Sequence, residues 1–476
     1  MRKWLPLGAV CLGTFMLLVD VTIANVALPD VAADLGTSLS SLEWVVDGYA
    51  LSLAALLIGA GGVADRLGHR RVYVAGLVVF ALASLACGLA PNPPVLVAAR
   101  VVQGVGGAAM IATTFALLNT AYDGRKRGIA YGMWGAVSGA SSAVGPLLGG
   151  PITEFLSWRW IFFVNLPVSV VAIVVSVLVL RADAPVRRGR RVDVLGIATF
   201  SAAIGFLTFG MIRASTAGWG ALSCWVALCV GAALLLGFVV VEMRVAEPLL
   251  DLALLRNRVF GGVLIVALLL NFAAYVSLSY SSIWMQSVLE LSPVTAGLVA
   301  LPMSGAAFVV SASLGRVMHR LRPGRVIGAG ILLVGLGDLL GFVLVSAWGS
   351  WAALLPGFFV VGLGIGLATP PLSSTGTAAV PAERAGMAGG AIYAARQVGF
   401  AFGIALLGSV FTAGMNHGLA GSGLVARDVV GGRGAPLGHV VDVAAAHGIA
   451  LLLVVAGLVG IVGAVVSFVV LRPVTR

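Results

Sequence analysis

Apolar segments of about 20 residues follow one another along the whole chain, separated by short polar connections. A helix of this length crosses the hydrocarbon core of a bilayer, and the segments are continuously apolar, whereas the strands of a membrane β-barrel alternate. The first segment runs to Leu28 without a cleavage site, which predicts a retained helix rather than a signal peptide. The pattern predicts fourteen membrane-spanning helices, at residues 5–28, 44–63, 72–90, 95–118, 129–150, 161–180, 194–212, 221–241, 260–284, 293–314, 326–346, 351–372, 386–410 and 447–471.

Composition and charge indicate the same class of protein. Hydrophobic residues make up 60% of the chain and charged residues only 10%, whereas a soluble domain carries about 25% charged residues. This excludes a soluble enzyme. The net charge of +11 does not indicate a nucleic-acid partner, because 23 of the 29 Lys and Arg residues fall in connections on the side of the N terminus and four on the other side. The positive-inside rule therefore predicts that both termini are cytoplasmic.

A short basic pattern occurs twice, at residues 61–71 (GGVADRLGHRR) and 311–321 (SASLGRVMHRL), with a constant offset of 250 residues. The two copies follow the second and the tenth predicted helix. Internal repeats of this kind are typical of secondary transporters, whose binding site lies between the two halves. We therefore predict an N-terminal six-helix bundle at residues 1–180, a linker with an inserted helix pair at 181–259, and a C-terminal six-helix bundle at 260–476.

Six segments, spread from the first predicted helix to the thirteenth, match the motifs of one transporter family. They are residues 18–29 (LVDVTIANVALP), 61–71, 100–107 (RVVQGVGG), 145–150 (GPLLGG), 158–167 (WRWIFFVNLP) and 396–399 (RQVG). In this order they resemble the major facilitator superfamily, and within it the 14-span drug:proton antiporter family, the QacA/EmrB-like proteins. The resemblance implies an all-α polytopic protein with the major facilitator fold in a bacterial cytoplasmic membrane. It also implies proton-driven export of amphipathic compounds.

Two charged residues lie inside predicted helices of the N-terminal bundle. Asp20 lies past the middle of the first helix, where an ionised carboxylate must face a cavity, find a partner or take up a proton. Arg100 enters the fourth helix near its end. Together with the matched motifs, these positions make Asp20 and Arg100 the predicted proton-coupling residues. The alternatives are a structural Asp20 bonded to a neighbouring helix and an Arg100 side chain that extends to water.

The repeated basic pattern suggests a gate, which is a charge network that holds one access state and breaks in the other. Ordinary helix-end charge is the alternative. The Gly-Pro pair of the fifth helix predicts a bend or hinge. The predicted gating residues are Asp65, Arg66, Arg70, Gly145, Pro146, Arg316 and Arg320. The second copy lacks the acid, because Gly315 stands where the first copy has Asp65, so gating there is expected to be weaker or different.

The ninth predicted helix mixes aromatic and hydrogen-bonding side chains, which suits a pocket for an amphipathic ligand. An aromatic belt at the membrane interface is the alternative. Polar residues of the fourth and thirteenth helices complete the prediction. The predicted substrate-binding residues are Asn271, Phe272, Tyr275, Ser279, Gln103, Arg396 and Gln397. Asp338 in the eleventh helix has two interpretations, a buried pair with an adjacent helix or a second proton site.

The chain contains no phosphate-binding loop, no Ser/His/Asp arrangement and no Cys/His spacing for a metal. We therefore predict a transporter rather than an enzyme, without a cofactor or metal. Its predicted function is proton-coupled efflux of lipophilic drugs by alternating access, as a monomer. The expected partners are protons, the bilayer and a small lipophilic substrate that is neutral or monocationic. The alternatives are a dedicated exporter of an endogenous lipid or secondary metabolite, a symporter, and a non-transporting receptor.

Overall fold

The computed structural model describes residues 2–37, 39–181, 193–245, 248, 250–348, 350–419 and 438–471. Long helices occupy all the predicted spans, and two consecutive helices together form the sixth. They are α1 (Leu5–Asp34), α2 (Leu39–Leu67), α3 (His69–Gly88), α4 (Pro93–Ala121), α5 (Gly124–Phe155), α6 (Trp160–Phe163), α7 (Asn165–Val179), α8 (Val194–Ala217), α9 (Leu222–Glu242), the short α10 (Leu252–Leu255), α11 (Arg258–Ser287), α12 (Pro293–Leu314), α13 (Pro323–Trp348), α14 (Leu354–Ala378), α15 (Ala385–Gly418) and α16 (Gly438–Val470).

Thirteen of the helical segments in the described residues are long and apolar enough to cross a membrane. The remaining predicted span, the fifth, corresponds to α5, which at 32 residues is long enough to cross. Its many glycine and serine residues lower its mean hydropathy below that of the other spans. The structure thus agrees with an all-helical membrane protein.

Helix boundaries differ from the predicted spans at the ends that leave the apolar core. The predicted spans 386–410 and 447–471, which leave a loop at 411–446 between them, are too short, because α15 continues to Gly418 and α16 begins at Gly438. A helix can continue through glycine and polar residues when its neighbouring turns stay packed. A hydropathy profile does not detect such packing, so it ends the helix too early. Residues 420–437 lie outside the described residues, as do residues 182–192 at the start of the predicted linker.

Several helix starts follow from local sequence. Asn92, Asn257 and Ser292 each precede a helix, and their side-chain oxygens accept backbone N–H groups of its first turn. These bonds satisfy donors that a helix start otherwise leaves open. Proline occupies the first turn of α4 and α12, where its missing N–H costs nothing.

The helices pack as an N-terminal half (α1–α7) and a C-terminal half (α11–α16), joined by the inserted helices α8 and α9. We call the end of the molecule that holds Arg66, Arg127 and Arg384 the basic end, and the other the opposite end. At the basic end the halves are in backbone contact. A Cβ atom on Gly61 of α2 would lie 2.5 Å from the Gly386 carbonyl oxygen of α15, and one on Gly132 of α5 would lie 2.5 Å from the Ser311 carbonyl oxygen of α12.

The inserted helix α8 lies against both halves. It packs on α2 along its length, from Ile197 beside Gly59 to Phe209 stacked on Trp44, with ring centroids 5.7 Å apart. Toward the opposite end α8 also contacts α15, and there the connection from α8 to α9 is bonded to α15. Trp219 Nε1 donates to Ser409 Oγ at 2.6 Å. Toward the opposite end, therefore, α8 contacts both α2 and α15, whereas toward the basic end these two helices touch directly.

Candidate functional site

Asp20 lies at the centre of a buried polar cluster that joins α1, α3, α4 and α7. Arg100 Nη1 donates to Asp20 Oδ2 at 2.5 Å, and Oδ1 accepts from the amides of Gln103 at 3.0 Å and Asn165 at 2.7 Å. The hydroxyl of Ser84 accepts from both amides, at 2.7 and 3.3 Å. Asp20 is only 1% exposed and Arg100 is fully buried. Both predicted proton-coupling residues therefore belong to one ion pair.

The Arg100 side chain also contacts α2. Its Nε donates to the carbonyl oxygen of Val45 at 2.8 Å, and its guanidinium carbon lies 4.4 Å from the centre of the Tyr49 ring. Nη2 is buried without a partner among the described residues. A side chain enclosed in this way does not extend to water, so the structure excludes that alternative for Arg100. A buried pair is strongly destabilised when one partner is removed.

Glycines of the matched motif let α4 approach its neighbours closely enough to form this cluster. A Cβ atom on Gly104 would lie 2.5 Å from the Tyr49 carbonyl oxygen of α2. One on Gly106 would lie 2.7 Å from the backbone nitrogen of Phe80 in α3. No side chain fits at either position without a shift of backbone, and this explains the glycine spacing beside Arg100 and Gln103.

Asp65 connects the two halves at the basic end. Its carboxylate accepts the backbone N–H groups of Gly386 and Met387, both at 2.8 Å, at the first turn of α15. His69 Nε2 lies 3.5 Å from the same carboxylate. A carboxylate at a helix N-terminus is stabilised by the free N–H groups and by the helix dipole.

Two basic residues predicted beside Asp65 donate to backbone carbonyl oxygens of the N-terminal half. Arg66 donates to the Gly62 carbonyl oxygen at 3.0 Å, and Arg70 donates to the carbonyl oxygen of Val177. In the second copy of the pattern, Arg316 and Arg320 are exposed. There the contact across the halves is made by backbone, because a Cβ atom on Gly315 would lie 2.8 Å from the carbonyl oxygen of Gly128. The missing acid is thus replaced by close helix packing.

The Gly145-Pro146 pair lies within a continuous α5. Gly145 packs directly on Thr22 of α1, where an added Cβ atom would overlap the hydroxyl. The side chain of Pro146 lies outside the described residues. The glycine therefore permits close contact between α1, the helix of Asp20, and α5, the helix that meets the C-terminal half.

The predicted substrate-binding residues separate into two groups. Gln103 lies in the sealed Asp20 cluster, whereas the others lie on α11 and α15. Asn271 and Phe272 are buried, and Tyr275, Ser279 and Gln397 are half-buried. The guanidinium carbon of Arg396 lies 5.4 Å from the centre of the Tyr393 ring. Tyr393 is also close enough to Tyr275 and Tyr49 to interact with them electrostatically.

Asp338 is buried in α13, away from the contacts between the halves. The Ser277 side chain of α11 lies beside it. That hydroxyl donates to the backbone carbonyl oxygens of Ala273 and Ala274, and both Asp338 carboxyl oxygens are without a hydrogen-bond partner in the described part of the chain. The structure therefore provides no ion pair for Asp338 there. No group of three or more His, Cys, Asp or Glu residues among the described residues is arranged to hold a metal.

Sequence reasoning missed three members of the Asp20 cluster, which are Ser84, Asn165 and Tyr49. Asn165 belongs to a matched motif, and an amide at the start of an apolar helix is a signal that could have identified it. Ser84 and Tyr49 are common residue types in membrane helices. Their role becomes visible only when the helices are packed.

Two packed halves of apolar, membrane-spanning helices, with a buried ion pair inside the N-terminal half, are typical of a polytopic membrane transporter. The sequence model of the Major Facilitator Superfamily matches residues 10–404, so the chain belongs to this superfamily. Membership identifies it as a multi-pass cell-membrane protein that moves small molecules.

Its relatives include several antibiotic resistance proteins. The multidrug resistance protein Stp of Mycobacterium tuberculosis is 36% identical over 413 residues, which cover 86% of this chain and 76% of that protein. The puromycin resistance protein pur8 of Streptomyces alboniger is 36% identical over 456 residues, covering 95% and 90%. The tetracenomycin C resistance and export protein of Streptomyces glaucescens is 36% identical over 409 residues, covering 86% and 76%.

Among solved structures, the human organic anion transporter MFSD10 (TETRAN) has a similar fold. The TM-score is 0.65, and the match covers 99% of both chains at 14% sequence identity. At this identity the likeness concerns the fold alone. It agrees with the fold implied by the sequence motifs.

Proposed function

We propose that this protein exports small lipophilic compounds from the cell in exchange for protons, by alternating access, with Asp20 as the proton-carrying group. The observation that carries the proposal is the sealed cluster around Asp20. A carboxylate inside a span is costly unless it is paired or protonated. Arg100, Gln103 and Asn165 hold the ionised form of Asp20, and protonation is the second option for the same carboxylate. Protonation would release Arg100 and change the packing of α4.

In this proposal the basic end is cytoplasmic, fourteen helices cross the membrane, and both termini are cytoplasmic. The transport unit is a monomer with six-helix bundles at residues 1–180 and 260–476 and the inserted pair between them. The described state is then closed toward the cytoplasm, with Asp65 and the glycine contacts of α2 and α5 holding it closed. Opening of that end requires loss of the two Asp65 hydrogen bonds to α15.

Proton release from everted membrane vesicles tests the exchange. The vesicle lumen is acidified by respiration, and ethidium, puromycin or a neutral antibiotic is added while a pH-sensitive dye reports the gradient. Export into the lumen in exchange for protons collapses the gradient. We expect this collapse with wild type and with Asp123→Asn, a change at an exposed carboxylate, and we expect none with Asp20→Asn.

Other outcomes would contradict the proposal at different points. Proton release that persists in Asp20→Asn would exclude Asp20 as the carrier. Compound accumulation without proton release in wild type would exclude antiport.

A second candidate function is export of one endogenous metabolite. The observation in its favour is that several relatives are named for single antibiotics, among them puromycin, tetracenomycin C and methylenomycin A. The same vesicles discriminate between the two functions. Release with many unrelated compounds supports drug efflux, whereas release with a single chemical family supports the dedicated exporter.

A further inference from the structure

Arg396 is a cation deep in α15 without a counterion in the described part of the chain. The residue is 8% exposed. Among the described residues, its guanidinium group lies over the Tyr393 ring. It has no hydrogen bond or ion pair with any described residue, and each of its guanidinium nitrogens keeps some accessible surface. Arg100, the other basic residue well inside the spans, forms an ion pair with Asp20.

The buried acids Asp20 and Asp338 form no ion pair with Arg396. Both carboxylate oxygens of Asp20 are engaged by Arg100, Gln103 and Asn165. Asp338 is on α13, and it forms no ion pair within the described residues. Neither of these two acids is therefore a counterion of Arg396. A cation at this depth is unfavourable unless an anion or polar groups approach it.

Arg396 lies on α15 close to helices of both halves. Gly399 and Gly403, three and seven residues further along, pack on the α11 backbone at Leu268 and Phe272. Residues at this spacing share one face of a helix, so Arg396 lies on the side of α15 that faces α11. Tyr393, one turn before Arg396, belongs to a hydrophobic cluster that also includes Tyr49 of α2. Arg396 and its aromatic neighbour thus lie beside both halves.

We propose that Arg396 binds an anionic oxygen, such as a carboxylate or phenolate, of an aromatic substrate, and that aromatic organic anions are the preferred substrate class. A guanidinium offers paired N–H donors that match a carboxylate, and the nearby tyrosine rings suit a planar aromatic body. This inference rests on the proposed export function and narrows its substrate. It replaces the neutral or monocationic substrate that the sequence alone favoured.

Two dyes with the same xanthene skeleton test the charge preference. Fluorescein carries a carboxylate, and rhodamine 123 is a cationic methyl ester. Dye accumulation is measured in energised everted vesicles with wild type, Arg396→Gln, Arg396→Lys and Arg322→Gln. Arg322 is exposed at the basic end, so its variant matches the loss of one charge without touching the site.

We expect wild type and Arg322→Gln to accumulate fluorescein faster than rhodamine 123. In Arg396→Gln, fluorescein uptake should fall by about tenfold or more, as expected for loss of a charge-assisted contact, while rhodamine 123 changes by less than about twofold. Arg396→Lys should keep the preference for the anion, because the charge remains. Unequal effects on two dyes in one preparation cannot arise from poor folding.

Three results would overturn the assignment: faster uptake of the cation by wild type, equal losses of both dyes in Arg396→Gln, or no uptake of either dye by wild type. The proposed exchange can fail separately. Fluorescein uptake that depends on Arg396 but persists in Asp20→Asn and without a proton gradient would keep the anion site and exclude proton coupling. Proton-coupled transport of cations without any effect of Arg396 would do the reverse.

Discussion

The carboxylate of Asp65 should set the balance between the closed and open states of the basic end. In Asp65→Asn one of its two hydrogen bonds to α15 is lost and the other becomes neutral. Hydrogen bonds to a charged group contribute about 1.5–3 kcal/mol each and neutral ones about 1 kcal/mol, so the closed state loses about 2–5 kcal/mol. Every 1.4 kcal/mol is a tenfold change, and the open state gains at least about 30-fold.

The shift is large enough to measure as a distance distribution. Spin labels at Thr120→Cys and Arg325→Cys, two exposed positions at the basic end in different halves, report the separation of the halves. Cys229 is exposed and is replaced by Ser, whereas the other three cysteines are buried. Minor states of proteins are commonly populated at 0.1–10%, so an open state of about 1% would rise to about a quarter of the molecules.

A matched control separates this effect from a general loss of charge. Asp123 also precedes a helix at the basic end, but its side chain is 95% exposed and pairs with Arg127 of the same helix at 3.1 Å. Asp123→Asn should leave the distance distribution unchanged. An Asp65→Asn protein with the same distribution as Asp123→Asn would refute the reasoning, because the two bonds across the halves would then contribute nothing to the closed state.

Three further changes have defined outcomes. Arg100→Gln should strongly lower the thermal unfolding midpoint, because breaking a buried ion pair costs about 3–5 kcal/mol. Adding Asp20→Asn to this variant should recover stability without recovering transport. A double variant that is no more stable than Arg100→Gln would contradict this prediction. Gly145→Ala should lower the yield of folded protein, measured by detergent size-exclusion chromatography, because the added methyl group would overlap Thr22. Gly205→Ala should not lower it, because no atom lies within 4 Å of a Cβ atom at that position. Equal yields would contradict the close contact at Gly145. The hydrogen bonds from Arg159 and Trp158 lower the pKa of Asp34, so its contribution to stability is present above the ordinary pKa and is lost as pH falls through the lowered value. Asp34→Asn should therefore be slightly less stable than wild type at pH 7, and the difference between their unfolding midpoints should shrink toward pH 3; a constant difference would contradict the pKa shift.

The helices could be predicted from the sequence because bilayer thickness and the cost of an unpaired backbone restrict the chain to apolar helices. Their ends could not, since α15 and α16 extend past the apolar core into a segment that hydropathy assigns to a loop. The cost of a lone charge inside a span indicated that Asp20 needs a cavity, a partner or a proton, but the sequence did not identify Arg100 as the partner. The completion of this pair by Ser84 and Asn165 required knowledge of which helix faces meet.

The contact of Asp65 shows a different limit of sequence reasoning. A repeated run of arginines favoured a network of charged side chains, but the acid bonds to backbone N–H groups at the start of α15. Any residue other than proline can supply such a donor, so no side-chain pattern marks Gly386 and Met387 as partners. Gly386 itself is the sequence feature that could have indicated this contact, because a side chain at that position would meet the Asp65 carboxylate.

If Asp20 carries the proton and Arg396 binds the substrate, as proposed, the two do not compete for one group in the described state, because Asp20 is sealed and Arg396 lies on a helix of the other half. The proposed exchange would then pass through helix packing, and α2 is in position to transmit it. The Val45 carbonyl and the Tyr49 ring of α2 hold Arg100, the partner of Asp20. The other end of α2 holds α15 through Asp65. In the proposed mechanism, protonation of Asp20 would free Arg100, which would loosen its hold on α2 and thereby weaken the contact that keeps the basic end closed.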